Sequence, residues 1–391
     1  MTDVLIAGAG PTGLTAGCVL ARRGLSVRIV RKHRPFTGHS RASVIWPRAL
    51  HVMESIGAVD PLVAIGSRVT KVGYYSSGES IGRFELGRLR NTRFTFALGV
   101  SQHETEAVLE SVFRAAGGEI ADAEIVGLEQ DDRQVTARLV ELGRETRWSG
   151  RWLVGADGAN STVRDLLGIT MDDVGPGVSF RIADAVVGGL PEDEASYCWT
   201  PGGGMAIGPH DRRAYRLAYR LTPDAPDASP DSFQRLLDAR GPKRSRGVVR
   251  ELVSTADFQA RFAVARNFSA GRCHLAGDSA HVMAPAGGQG MNSGILDADA
   301  LARRMVESRR NGASENRLAG YGAERRDAIG KIMATAVEHA RDGGLRSDSD
   351  IAARDRRYRG MWNDSALHRD RMARLSQLDV DPIRTEGAIT A

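Results

Sequence analysis

The chain has 391 residues, 42% of them hydrophobic and 26% charged, and a formal charge of +5. Those fractions exclude a disordered or fibrous chain, and the length suits two domains or one large domain carrying an insertion. The positive balance is arginine scattered among acids, with lysine only at positions 32, 71, 243 and 331; no nucleic-acid-binding motif accompanies it, so no nucleic-acid partner is expected.

Met1-Thr2-Asp3 leads straight into the apolar run Val4–Ala7, too short for a secretory signal, and no window reaches membrane-spanning length. The opening "DVLIAGAGPTGLTAGCVLARRGLSVRIV" reads as a buried parallel strand, a glycine turn, a helix closed by Gly24, and a second strand. Helices are predicted over 47–56, ending at Gly57, and over 104–116, where Val108, Leu109, Val112, Phe113 and Ala116 share a face. "RWLVGADG" then reads as a strand delivering an Asp-Gly turn.

From about 178 to 220 the pattern alternates between Gly-Pro turns, as in "SYCWTPGGGMAIG", which predicts antiparallel sheet with a helix near 232–239. "GRCHLAGD" returns to a buried strand, and helices follow from Asn292. The fold class expected is α/β: a Rossmann-type dinucleotide-binding domain assembled from 1–70, 97–172 and 269–344, with an inserted, mostly antiparallel sheet domain from 71–96 and 173–268. The tail, 345–391, is polar and charge-alternating, and is read as helical with no clear apolar face. Cys18, Cys198 and Cys273 are far apart, so neither a disulfide framework nor a zinc site is expected, no other metal-ligand spacing occurs, and a cytoplasmic protein fits.

Gly8-Ala9-Gly10-Pro11-Thr12-Gly13 sits between the first strand and helix. In that context Gly8 permits a tight turn, Gly10 lets backbone approach a pyrophosphate, and Gly13 lets helix and strand touch. The second strand should end in an acid that accepts from ribose hydroxyls, yet Arg31 stands there, in "VRIVRKHR". Arginine only donates; it either turns to solvent or, with Lys32 and Arg34, binds a 2′-phosphate and so NADP(H). Trp46, Tyr197 and Trp199 could stack on an aromatic substrate, although aromatics in a sheet are more commonly plain core.

With the glycine turn, "LVGADGANSTVRDLLG" and "LAGDSAHVMAPAGGQGMNSG" resemble the three fingerprints of the FAD-dependent aromatic hydroxylases, the class A flavin monooxygenases of the para-hydroxybenzoate hydroxylase type. "HSRASVIWPRALHVMESIG", "SQHETEAVLESVFRAAG" and "YGAERRDAI" extend the resemblance over roughly 1–170 and 265–340. It implies non-covalent FAD, its pyrophosphate on Gly8, Gly10, Pro11, Thr12 and Gly13. Asp278 would accept from the ribityl hydroxyls. Pro285, Gly288, Gly290, Met291 and Asn292 would form the isoalloxazine loop, with the helix that starts near Asn292 pointing its positive end at the ring. Arg41 would lie near the phosphates or flavin, Gln102 near the ribityl chain, and Asp157 where FAD and NAD(P)H are both contacted. Asp157 could equally bond its own backbone in an Asx-turn, and Asp278 could merely cap a turn.

The activity implied is NAD(P)H- and O2-dependent hydroxylation or other oxygenation of an aromatic or polyketide-like small molecule, through a flavin C4a-hydroperoxide, in secondary metabolism. No residue is identified as catalytic. The chain stops short of the thioredoxin-like extension of larger relatives, which suggests a compact subtype, monomeric or homodimeric. Two other readings stay open: an NADP(H)-binding reductase or dehydrogenase without oxygenation, favoured by Arg31, and a non-catalytic flavin-fold binding protein.

Overall fold

The computed structural model describes residues 2–32, 42–222, 225–285, 287–310 and 316–381. Two eight-stranded sheets organise them. In the first, the strands run in the order Arg144–Gly150, Val135–Glu141, Glu119–Gln130, Val27–Arg31, Val4–Ala7, Trp152–Gly155, Cys273–Leu275, Ser269–Ala270. The five strands from Glu119–Gln130 to Cys273–Leu275 are parallel, and both rims are antiparallel. Val4–Ala7 and Trp152–Gly155 are buried at every residue, as strands covered on both faces must be. The predicted strand, turn and helix are therefore present, with the helix spanning Pro11–Ala21. It begins with Pro11, whose missing N–H costs nothing in a first turn, and it packs against the helices Gln102–Ala115 and Gly290–Arg310.

The second sheet runs His281–Val282, Val248–Ala265, Met171–Gly188, Tyr215–Arg220, Gly203–Pro209, Glu194–Thr200, Lys71–Ser76, Glu79–Glu85. It is antiparallel except where Glu194–Thr200 pairs with Lys71–Ser76. Register shifts near Asp173, Gly175 and Asp184 bend its two longest strands. Asp184 and Arg216 are paired across two strands and buried, with nitrogen–oxygen distances of 2.8 and 2.9 Å. A three-stranded sheet, Val44–Ile45, Ala97–Gly99 and Ser67–Val69, completes the strands. Its segments of two and three residues are too short to leave a sequence pattern.

The described part of the tail, 345–381, forms two capped helices. Ser347 caps a helix over Asp348–Asn363 by accepting from Asp350 N–H, and Asp364 caps the next, Ser365–Leu375, by accepting from Ala366 and Leu367 N–H. These helices lie on the Glu79–Glu85 edge, where Tyr358, Met372 and Leu375 join Tyr74, Phe84 and Trp199 in one apolar cluster. Their inward faces also carry arginine. Arg371 donates to the Tyr74 and Tyr358 hydroxyls at 3.0 and 3.2 Å, and Arg354 to Ser76 and Asp355. An apolar stripe could not announce these helices because half of what they bury is polar. No helix among the described residues is long and apolar enough to cross a membrane.

Candidate functional site: a dinucleotide cradle beside an aromatic pocket

The glycine turn is set by sterics. Gly8 has φ +104°, and a Cβ there would lie 2.2 Å from Ala156 O, so only glycine lets the turn close onto the Asp157 segment. The helix that follows has Gly10 as N-cap, no side-chain cap and no acid in its first turn. Its first N–H groups therefore meet no capping side chain among the described residues. A Cβ at Gly10 would meet nothing within 4 Å, so this uncapped end opens onto free space, the arrangement that binds phosphate.

Thr12 brings the distant segment in. A Cβ at Gly277 would stand 2.5 Å from Thr12 Oγ1, and one at Gly294 would stand 2.3 Å away. The N-terminal turn, the Gly277–Ser279 turn and the helix Gly290–Arg310 thus meet at one threonine. Asp278 is exposed between the buried Gly277 and Ser279, so its carboxylate is accessible to a ligand's hydroxyls. Below it, Asp297 accepts from Gly277 N–H at 2.9 Å and from Arg325 at 2.7 Å, and stands 2.6 Å from His281 Nε2. Burial opposes charge on Asp297, but His281 and Arg325 outweigh it and hold the carboxyl below its ordinary range. His281 is therefore packed into the support of the turn. An open helix end, an exposed carboxylate at a strand end and a second helix start converge here, and they fit the pyrophosphate, ribityl and ring portions of FAD.

The other expected residues divide by what their side chains do. Asp157 accepts from Ser161 Oγ at 2.5 Å and Val163 N–H at 3.0 Å, so it braces the next helix; burial raises its pKa despite those bonds. Gln102 opens its helix beside residue 42, its backbone N–H donating to Ala42 O and its Nε2 to Glu106. Asn292 is buried, accepting from Trp46 N–H at 2.7 Å and donating to Val44 O and Gly288 O. Its side chain stitches the loop to the Val44–Ile45 strand. Gly288, at φ +65°, is crowded by Val44. Gly290 begins the long helix, and Met291 packs partly against the main core. Trp46 donates to Gly287 O at 3.0 Å and positions the loop without lining the pocket. Arg41 and Arg34 lie outside the described residues.

Arg31 neither turns freely to solvent nor stands as an open cation. Its Nε donates to Asp122 at 2.9 Å and its Nη1 to Glu110 at 3.1 Å. The hydrogen bond to Asp122 leads in raising its pKa. Two carboxylates compensate the charge that a 2′-phosphate clamp would need.

A pocket opens beside the glycine loop, on the face of the second sheet. Phe180, Tyr197, Trp199, Met205 and Tyr219 line it together with Pro285, and the end of the helix Asn316–Asp342 closes it through His339, Ala340, Gly343 and Gly344. Its empty space, open mouth included, is about 920 Å³. His339 is a site residue that no motif in the sequence singles out. It is buried, Tyr197 lies 4.2 Å from it ring to ring, and its Nε2 has no hydrogen-bond partner among the described residues. Burial, and then Arg371, push its pKa well below the ordinary value, so the ring is neutral. The only signal in the sequence is its place after Ala328, Ile332 and Ala336 on the buried face of that helix.

A family model for an FAD binding domain matches residues 1–336. The chain is 35% identical over 351 residues to the 6-methylpretetramide 4-monooxygenase of Streptomyces rimosus, which covers 85% of this chain and 60% of that protein. It is 31% identical over 347 residues to the 12-dehydrotetracycline 5-monooxygenase/anhydrotetracycline 6-monooxygenase of Streptomyces rimosus subsp. rimosus, covering 85% of this chain and 68% of the relative. The chain thus spans less than two thirds of the first relative's length. Among solved structures, p-nitrophenol 4-monooxygenase from Pseudomonas putida DLL-E4 has the same fold, with a TM-score of 0.87 at 23% identity over 97% of this chain and 98% of that one. An aklavinone-11 hydroxylase solved with FAD and aklavinone gives a TM-score of 0.71 at 26% identity, over 86% of this chain and 68% of the other.

Proposed function

Because the chain belongs to the family of FAD-dependent aromatic hydroxylases, we propose that it is a monooxygenase that uses NAD(P)H and O2 to hydroxylate or otherwise oxygenate an aromatic or polyketide-like small molecule. The observation that carries this reading is the junction at Pro285. This residue is at once a wall of the aromatic pocket and the entry to the glycine loop, so substrate and cofactor would share one boundary. FAD, when bound, supplies the redox chemistry, taking a hydride from NAD(P)H and passing electrons to O2.

The chain's own residues bind, orient and seal. The uncapped start of Pro11–Ala21 receives the pyrophosphate, Asp278 accepts from the ribityl hydroxyls, and the start of Gly290–Arg310 places N–H groups and a positive dipole end at the ring. Tyr197, Trp199 and Phe180 offer flat faces for an aromatic substrate. The apolar walls exclude water from the reacting centre. The neutral His339 stands edge-on to Tyr197 and fixes that wall of the pocket. The paired state of Arg31 removes the support that a bare cation would lend to a reductase reading. Three buried free thiols fit a cytoplasmic setting, and the names of the relatives fit secondary metabolism.

The purified protein should be yellow and release FAD on denaturation. Its NAD(P)H oxidation should rise with an aromatic substrate, and product formed under labelled O2 should carry the label; label drawn only from water, or turnover without oxygen, would reject the proposal. Asp278→Ala should weaken FAD binding about ten- to hundredfold, as expected for losing a hydrogen bond to a charged acceptor. Unchanged FAD affinity in the folded variant would show that Asp278 only shapes the turn.

A further inference from the structure

The deeply buried guanidinium groups mostly meet carboxylates: Arg48 with Asp381, Arg216 with Asp184, Arg325 with Asp297, Arg354 with Asp355. The pocket's arginines are less buried, Arg240 by about half and Arg220 and Arg346 exposed at its edge. Arg220, Arg240 and Arg346 all line it, and none pairs with a carboxylate among the described residues. Arg240 and Arg346 converge on one hairpin tip. Arg240 donates to Gly204 O at 3.2 Å and Gly202 O at 3.1 Å, and Arg346 donates to Pro201 O. Arg240 is half-buried and lies over the Tyr219 ring, 5.7 Å from its centroid.

Two like charges held beside apolar walls repel, and the repulsion grows as water is displaced. Arg240 shows the strain: burial, reinforced by Arg346, lowers its pKa. Backbone carbonyls take only some of the five donors on each guanidinium. Nothing in the described protein supplies the opposite charge, although the aromatic floor a few residues away supplies everything else that a flat ligand needs.

We propose that the pocket selects an aromatic substrate bearing a carboxylate, which Arg240 and Arg346 hold at the mouth while its rings lie on Tyr197 and Trp199. The inference rests on the monooxygenase reading for the word substrate, and on the pocket alone for the anion. The pyrophosphate of NAD(P)H presents the same chemistry, an anion beside a flat ring. The apolar sheet face favours the substrate as its source, and the experiment separates the two.

The FAD-loaded protein is titrated with 1-hydroxy-2-naphthoate and with its methyl ester, following tryptophan fluorescence, to which Trp199 in the pocket wall contributes. The acid should bind about ten- to hundredfold more tightly than the ester, the range for charge-assisted hydrogen bonds, and salt should weaken the acid alone. Arg240→Met keeps the stem over Tyr219 and should abolish the difference. The exposed Arg346→Met should reduce it, which secures the test if the first variant fails to fold. Equal binding of acid and ester, binding of neither, or variants that leave the difference intact would overturn the proposal. So would variants that weaken NADPH binding while the acid keeps its advantage, since the anion would then be the nucleotide's. If NAD(P)H oxidation responds to a neutral naphthol and labelled oxygen enters product without any preference for the acid, the anion inference fails and the monooxygenase reading stands. With a preference for the acid but no oxygen incorporation, the anion inference stands and the monooxygenase reading fails.

Discussion

Two glycines of the same turn should respond differently to one methyl group. Gly8→Ala forces a side chain into φ +104° and against Ala156 O, so both stability and FAD binding should fall, by more than the ~1–3 kcal/mol of backbone strain alone. Gly10→Ala meets no protein atom. Its melting temperature without cofactor should stay put while FAD affinity drops, because only the ligand contests that space. Thermal melts with and without FAD check both, and a Gly10→Ala protein that melts early without FAD would refute the assignment.

At the scale of elements, the tail bears a specific load. Asp381 accepts from Arg48 at 3.2 Å and is 3.3 Å from Arg325, and all three are buried or nearly so. Asp381→Ala takes one of two carboxylates from each buried guanidinium, leaving Asp299 for Arg48 and Asp297 for Arg325, so it should cost about 1.5–3 kcal/mol, read as a lowered denaturant midpoint; a loss below ~0.5 kcal/mol would make the tail a surface appendage. How far the sequence foretold its elements follows the range of the forces involved. Val4–Ala7 and Pro11–Ala21 were legible because burial on both faces and turn sterics are written in adjacent residues. The antiparallel rim over 119–150 was not, since its strands lie partly in solvent and blur the alternation. Trp46, read as a possible stacking surface for substrate, anchors the glycine loop, and Arg48 in the same segment anchors the tail. Such partners lie more than 200 positions away and leave no local mark. The pocket's His339, Arg240 and Arg346 come from separate elements brought together only by the fold.

At the scale of the whole molecule, three histidines set the response to acid. Burial lowers His210 and His274 to about 4 and His339 well below its ordinary value, with Arg216, Arg272 and Arg371 adding to the effect in turn. In the unfolded chain each titrates near ~6.5. Below that pH the unfolded state gains protons that the native state refuses, so stability is full above it and falls as pH drops toward the folded values. Each histidine should contribute a slope of about 1.4 kcal/mol per pH unit in that window. Urea midpoints at pH 7.5, 6 and 5 should show the decline, and His274→Asn should flatten it by one proton's worth. A midpoint that stays level from pH 7.5 to 5 would contradict the buried neutral state of all three.

The meeting of Thr12 with Gly277 and Gly294 has a consequence for how the protein is made. At ribosomal rates of ~5–20 residues per second, the glycine turn emerges tens of seconds before the strand and helix that complete its cradle. Throughout that interval the nascent chain holds a half-built site with parallel strands waiting for Cys273–Leu275. Cofactor capture therefore belongs to the end of translation or after it. A cell short of flavin would meet its cost as newly released chains, their central sheet closed around an empty cleft, exposed to proteases until a ligand arrives.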